Sequence, residues 1–172
     1  MSADGAQRVR DRVVEGAALQ PGDSVLDLGP GDGLLTFAVL ERIGEGWVFA
    51  VDPSVAVLEE LLTRAHAADV AGVMYLVGDA AVIPLPDASA DACVARALVA
   101  AGGGLEGVAE IARVLRSGGR LSALAPFPDA SAGAAVADAL TAALEAAGFT
   151  DVAVEPQDLD GERTASITAR RA

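Results

Sequence analysis

Lysine is absent from this chain, and cysteine, histidine, tryptophan and tyrosine occur once each. The lone Cys93 excludes an internal disulfide and any cysteine-cluster metal site. The lone His66 leaves no histidine pair for a zinc site, so no metal is expected. Aromatic residues make up only 3% of the sequence, and the core must therefore be built from alanine, valine and leucine. All twelve basic residues are arginine against 25 acids, giving a net charge of −13. Binding a phosphate backbone depends on counterion release by a positive surface, so DNA and RNA are excluded as expected partners. An anionic membrane surface is disfavoured on the same ground. No apolar run reaches the roughly 18 residues that a membrane helix needs. Asp4, Arg8, Arg10, Asp11, Arg12 and Glu15 interrupt any apolar signal-peptide region. A cytoplasmic location is the expectation.

What is present suits one α/β domain over residues 1–172. Half the chain is hydrophobic (52%), enough for a substantial core at 172 residues. An amphipathic stretch over about 5–19 ends at Gln20-Pro21-Gly22-Asp23. Short apolar runs then alternate with helical patterns. Val25 to Leu28, Trp47 to Val51, Met74 to Val77, Cys93 to Val99 and Arg120 to Ala125 read as strands. Leu34 to Ile43, a segment that Pro53 can open, and residues 105–116 read as helices, the last stopped by Ser117-Gly118-Gly119. An Ala-rich helix up to Gly148 follows. Val152 to Val154 and Thr164 to Thr168 flank Asp158-Leu-Asp160-Gly161, a hairpin signal. Strands alternating with helices give right-handed crossovers, a parallel sheet and a doubly wound fold, with the hairpin adding an antiparallel strand.

Asp27-Leu28-Gly29-Pro30-Gly31-Asp32-Gly33 joins the first strand to the first helix of the alternating pattern. Ligands of open α/β sheets bind at the carboxyl ends of the strands near the switch in strand order, where this turn falls. A dinucleotide fingerprint needs G-x-G-x-x-G, but here Leu34 takes the place of the third glycine. Asp27 and Asp32 would oppose a pyrophosphate and suit a ligand carrying an ammonium and a sulfonium. Asp32 serves equally well as a helix cap, whereas Asp27 lies within an apolar strand, where an unpartnered carboxylate is costly. The second strand ends at Asp52, placed to accept ribose hydroxyls, and capping of the next helix with Pro53 at its first position is compatible. The third ends at Gly78-Asp79-Ala80.

On these residues the sequence resembles the class I S-adenosylmethionine-dependent methyltransferases, in particular the small-molecule group of the ubiquinone and menaquinone biosynthesis type. Val25 to Gly33 is similar to the family's first motif. The resemblance makes Asp27, Gly29, Gly31, Gly33, Asp52, Pro53, Asp79 and Ala80 the cofactor residues, with Asp52 on the ribose and Asp79-Ala80 on the adenine edge. Ile83 to Asp91 looks like the loop into the fourth strand. Glu110 to Leu121 looks like the helix and turn before the fifth. The resemblance implies a seven-stranded sheet of order 3-2-1-4-5-7-6 with strand 7 antiparallel and helices on both faces.

The expected function is methyl transfer from S-adenosyl-L-methionine to a small molecule, leaving S-adenosyl-L-homocysteine and acting mainly through positioning. The run Ala95 to Gly104 after the fourth strand holds no base, so no catalytic residue is named. An amine, a thiolate, an acidic hydroxyl or a stabilised carbanion is the expected acceptor. Arg96, near the end of that strand, is the substrate-side candidate, with a surface ion pair as its alternative role. The domain is expected to be minimal, without a substrate cap, so two covers for the site are open: the N-terminal helix folding over it, or a homodimer or partner subunit. Two rivals stand beside this reading. One is a non-catalytic accessory subunit that binds the same cofactor; the other, disfavoured by the acidic turn, is a nicotinamide-dependent oxidoreductase. His66 is expected to face solvent near a helix end, Cys93 to fill core and Trp47 to pack.

Overall fold

A computed structural model of the chain describes residues 2–98, 105, 107–129, 131–159 and 161–172. In chain order the elements are α1 (Ala3–Gly16), β1 (Ser24–Leu28), α2 (Leu34–Ile43), β2 (Trp47–Asp52), α3 (Val55–Ala67) and β3 (Val73–Val77). Then come β4 (Ala90–Ala95), α4 (Gly107–Val114), β5 (Leu115–Pro126), α5 (Ala132–Ala146), β6 (Phe149–Leu159) and β7 (Glu162–Arg171). The strands form one sheet of order β3-β2-β1-β4-β5-β7-β6. β7 runs antiparallel to β5 and β6, while the pairs β1–β2, β1–β4, β2–β3 and β4–β5 are parallel.

Two-residue alternation sorts the strand side chains onto two faces. Val25, Val48, Val94 and Leu124 bury against Val9 and Val13 of α1 and Leu35, Val39 and Ile43 of α2. Ala50 meets Leu58 and Leu61 of α3 on that face. Leu26, Val51, Cys93, Leu121 and Ile167 meet Ile111 of α4 and Leu140 and Leu144 of α5 on the other. Few aromatics are needed because small Ala side chains on the central strands let the helices approach closely.

Several boundaries differ from the sequence expectation. β4 ends at Ala95 rather than Val99, so Arg96 lies just beyond the strand; Val99 is outside the described residues. Ser117-Gly118-Gly119 does not end a helix, because α4 stops at Val114 and β5 starts at Leu115. Pro53 is not the first residue of α3. Ser54 is the cap, its hydroxyl accepting from the Val57 amide, and the helix starts at Val55. Trp47 is not packed but 52% exposed, at the start of β2. Cys93 is buried core and His66 is exposed near the end of α3.

The residues matching the two later motifs act together as a latch. Glu110 accepts from the Ile83 amide, and Arg113 donates to Ile83 O, Leu85 O and the carboxylates of Glu110 and Asp87. The Arg113 guanidinium holds the Glu110 carboxyl down to about 2. Arg116 ties Asp91 and the Ser89 carbonyl. The β3–β4 loop is thereby fixed to α4 and β5. Among the described residues no helix is long and apolar enough to cross a membrane, and no group of three acidic, His or Cys side chains could hold a metal ion.

Candidate functional site

The sharp turn between β1 and α2 is made by backbone that only glycine adopts freely. Gly29, Gly31 and Gly33 have φ of 72°, 53° and 84°. At Gly29 the amide donates to Val51 O, locking the turn to the end of β2, and an added Cβ would project into open space. That bare backbone at the carboxyl edge lets a ligand approach closely. At Gly33 the need is different: a Cβ would stand 2.6 Å from both Leu61 Cδ1 and Phe37 Cε2. This glycine lets α2 start against α3.

Asp27 lies fully buried beneath the turn, facing α2. Its Oδ2 accepts from Thr36 Oγ1 at 2.6 Å, while Oδ1 has no partner. Burial pushes the carboxyl up to about 7, against the lowering by the Thr36 hydroxyl and the Arg96 guanidinium. An orphaned carboxylate oxygen in this position is costly unless a donor or cation reaches it. Asp32 accepts weakly from the Leu34 amide at 3.4 Å and lies 3.6 Å from Arg96 Nη1. It is thus both a loose cap and an ion-pair partner.

The other predicted acids line the same edge. Asp52 closes β2, with Oδ1 accepting from the Ser54 amide at 2.8 Å. Asp79 Oδ1 accepts from the Ala81 and Val82 amides, forming a tight turn after β3. In both, the second carboxylate oxygen has no partner among the described residues and remains available. Ala80 packs against the start of α4, where a Cβ on Gly107 would come within 2.7 Å of it. Parallel pairing carries Asp27, Asp52 and Asp79 to one end of three adjacent strands.

Beyond Asp32 and Arg96 opens a cavity of about 490 Å³. Its walls come from distant parts of the chain. They include the cap Ser2 with Ala3, Ala6 and Val9 of α1, Leu124 and Pro126 of β5, and Leu159, Glu162, Arg163 and Thr164 of the β6–β7 hairpin. Thr164 is 5% exposed and its Oγ1 has no hydrogen-bond partner. Sequence reasoning found Arg96 here and offered the N-terminal helix as one possible cover, but missed the hairpin. A signal existed. With strand 7 antiparallel to strand 5, the turn before strand 7 must fall at the carboxyl edge; Thr164 is indeed paired with Pro126.

Comparisons with known proteins agree with this geometry. A family described as a methyltransferase domain matches residues 25–119, more than half of the chain. The ubiquinone/menaquinone biosynthesis C-methyltransferase UbiE of Ruegeria sp. (strain TM1040) is 32% identical over 67% of this chain and 47% of its own length. The arsenite methyltransferase of Halobacterium salinarum is 31% identical over 62% of this chain and 28% of its own length. The chain therefore spans about half, or less, of these curated relatives. The crystal structure of a SAM-dependent methyltransferase from Aquifex aeolicus superposes with a TM-score of 0.74 over the full length of both chains, at 19% identity. The strand order, the glycine turn and the family match converge: the chain belongs to the class I S-adenosylmethionine-dependent methyltransferases.

Proposed function

We propose that this chain binds S-adenosyl-L-methionine across the ends of β1, β2 and β3 and transfers its methyl group to a small molecule held in the cavity beside α1. One observation carries the reading. The acid-lined glycine turn and the cavity share a wall, the Asp32–Arg96 pair. A donor lying on the turn would point its reactive end directly into the cavity.

The residues fit the cofactor. The exposed backbone at Gly29 and Gly31 gives its amino-acid portion room, and the orphaned Asp27 oxygen offers a partner for an ammonium. Arg96 can meet its carboxylate, while Asp52 holds the ribose beside Pro53, and Asp79 with Ala80 borders the adenine. When bound, the cofactor supplies an electrophilic methyl on a sulfonium that departs as a neutral thioether. The chain's own contribution is positioning, which can provide about 7–11 kcal/mol of the barrier reduction. The first turn of α1 and the start of β7 wall the acceptor on one side, and these walls favour catalysis by this chain over an accessory role. Glu162, Arg163 and Thr164 are the hairpin's polar groups on the cavity and can orient the acceptor.

The relatives named for ubiquinone, menaquinone and arsenite chemistry support a small-molecule acceptor. The test is a labelled-methyl screen with S-adenosyl-L-methionine against small amines, thiols, phenols and activated carbon acids. Mass-spectrometric detection of a product 14 Da heavier supports the reading, a figure set by the added CH₂ rather than by this protein. Tight cofactor binding with no turnover on any class would favour the accessory role instead.

A further inference from the structure

The two edges of the sheet are finished very differently. At one edge, β6 carries Asp151, Glu155, Pro156 and Asp158, and its register with β7 breaks between Thr150 and Ala153. Acids, proline and a bulge are devices that prevent edge-to-edge pairing. At the other edge, β3 is Val73-Met74-Tyr75-Leu76-Val77, with no charge and no proline, and it is in unbroken register with β2. Met74 is 45% and Val77 58% exposed. Alongside runs an open groove of about 450 Å³, bordered by Leu62 and His66 of α3 and by Val70, Val73 and Tyr75, with Asp69 its one acid. Val55, Glu59, Leu62 and His66 form one exposed stripe of α3 at helical spacing.

We propose that β3 pairs with β3 of a second copy, antiparallel about a two-fold axis at Tyr75, so that two sheets become one. The strand itself identifies the occupant, because it reads almost the same in either direction. Val73 falls opposite Val77, Met74 opposite Leu76, and Tyr75 opposite its own copy, so each face matches apolar with apolar. The same axis sets the two α3 helices antiparallel. Leu62 then lies level with the second Leu62, and Glu59 level with the second His66, an acid beside an N–H donor on both sides. Charge selects this face too. Two chains of net charge −13 repel across most of their surfaces, and the charge-free strand is where approach costs least. A five-residue strand with one helix stripe is at the small end of specific interfaces, so the dimer is weak. The cavity beside α1 stays uncovered, and the pairing does not depend on the proposed reaction.

Sedimentation velocity of the full chain from about 5 to 500 μM tests this, the range being set by the expected affinity. The wild type should shift from monomer to dimer, more readily at higher salt because the acidic bodies are screened. Met74→Lys places a charge on an exposed edge position and should weaken the dimer at least tenfold, with circular dichroism showing an intact fold. Glu59→Arg and His66→Glu should each weaken it, and the two together should restore it. A chain that remains monomeric at the highest concentration overturns the proposal. So does a dimer indifferent to Met74→Lys, or a double variant no better than the single ones.

Discussion

The cleft at the carboxyl edge has two halves built on opposite plans. The half over β1, β2 and β3 is local. Each acid is fixed by a neighbour in sequence: Asp52 by the Ser54 amide, Asp79 by the Ala81 and Val82 amides, and Asp27 by Thr36. The half over β4, β5 and β7 is assembled from α1, two central strands and the C-terminal hairpin, and among the described residues its buried Thr164 hydroxyl has no hydrogen-bond partner. A local site keeps its chemistry as long as its turn folds. An assembled site can change its lining one element at a time while the local half stays constant. That difference explains how one fold can keep a single cofactor and serve many acceptors.

The largest effect should come from breaking the local half at its tightest point. Gly33→Ala forces a side chain into positive φ and against Leu61 and Phe37. Strain and overpacking together should cost about 2–4 kcal/mol, lowering the melting temperature by roughly 5–15 °C in calorimetric scans. Next comes Asp52→Ala. Loss of hydrogen bonds to a charged group should weaken S-adenosyl-L-homocysteine binding by roughly ten- to a hundredfold, with the melting temperature of the free protein little changed.

A smaller effect is the pH dependence that Asp27 imposes. Its carboxyl titrates near 7 because burial disfavours the charge. The native state therefore holds this proton more tightly than the unfolded chain. Stability from this group is full at low pH and declines as pH rises from the ordinary carboxylate range through about 7. Ligand affinity should move the other way, since only the ionised form attracts an ammonium. Titrations from pH 5.5 to 8.5, values that bracket this transition, should show affinity rising severalfold, and Asp27→Asn should flatten the curve. The smallest effect belongs to the assembled half. Glu162→Gln, an exposed change, should alter the KM for the acceptor by roughly two- to fivefold and leave cofactor affinity unchanged.

The same contrast explains what could be read from the sequence. Asp27, the three glycines, Asp52 and Asp79 sit at ends of apolar runs, so short-range pattern and a family resemblance locate them without tertiary information. The strand order followed from the same source and is the order observed. The N-terminal helix was open as one cover, but the β5 and hairpin walls were hidden because Leu124 and Thr164 are far apart in sequence and meet only through packing. Boundaries misled where local signals conflicted with pairing. Ser117-Gly118-Gly119 carries a stop signal, yet it lies inside β5 as an irregularity between Leu115, which pairs with Ala90, and Arg120, which pairs with Ala92. The exposure of Trp47 and Met74 was equally illegible, because an apolar strand residue looks the same whether or not a helix covers it.

The most direct measurement is calorimetric titration of S-adenosyl-L-homocysteine into the wild type, Asp52→Ala and Glu162→Gln. The account predicts one site per chain, a loss of roughly ten- to a hundredfold in Asp52→Ala and wild-type affinity in Glu162→Gln. No binding to the wild type, or equal affinity in Asp52→Ala, would contradict it.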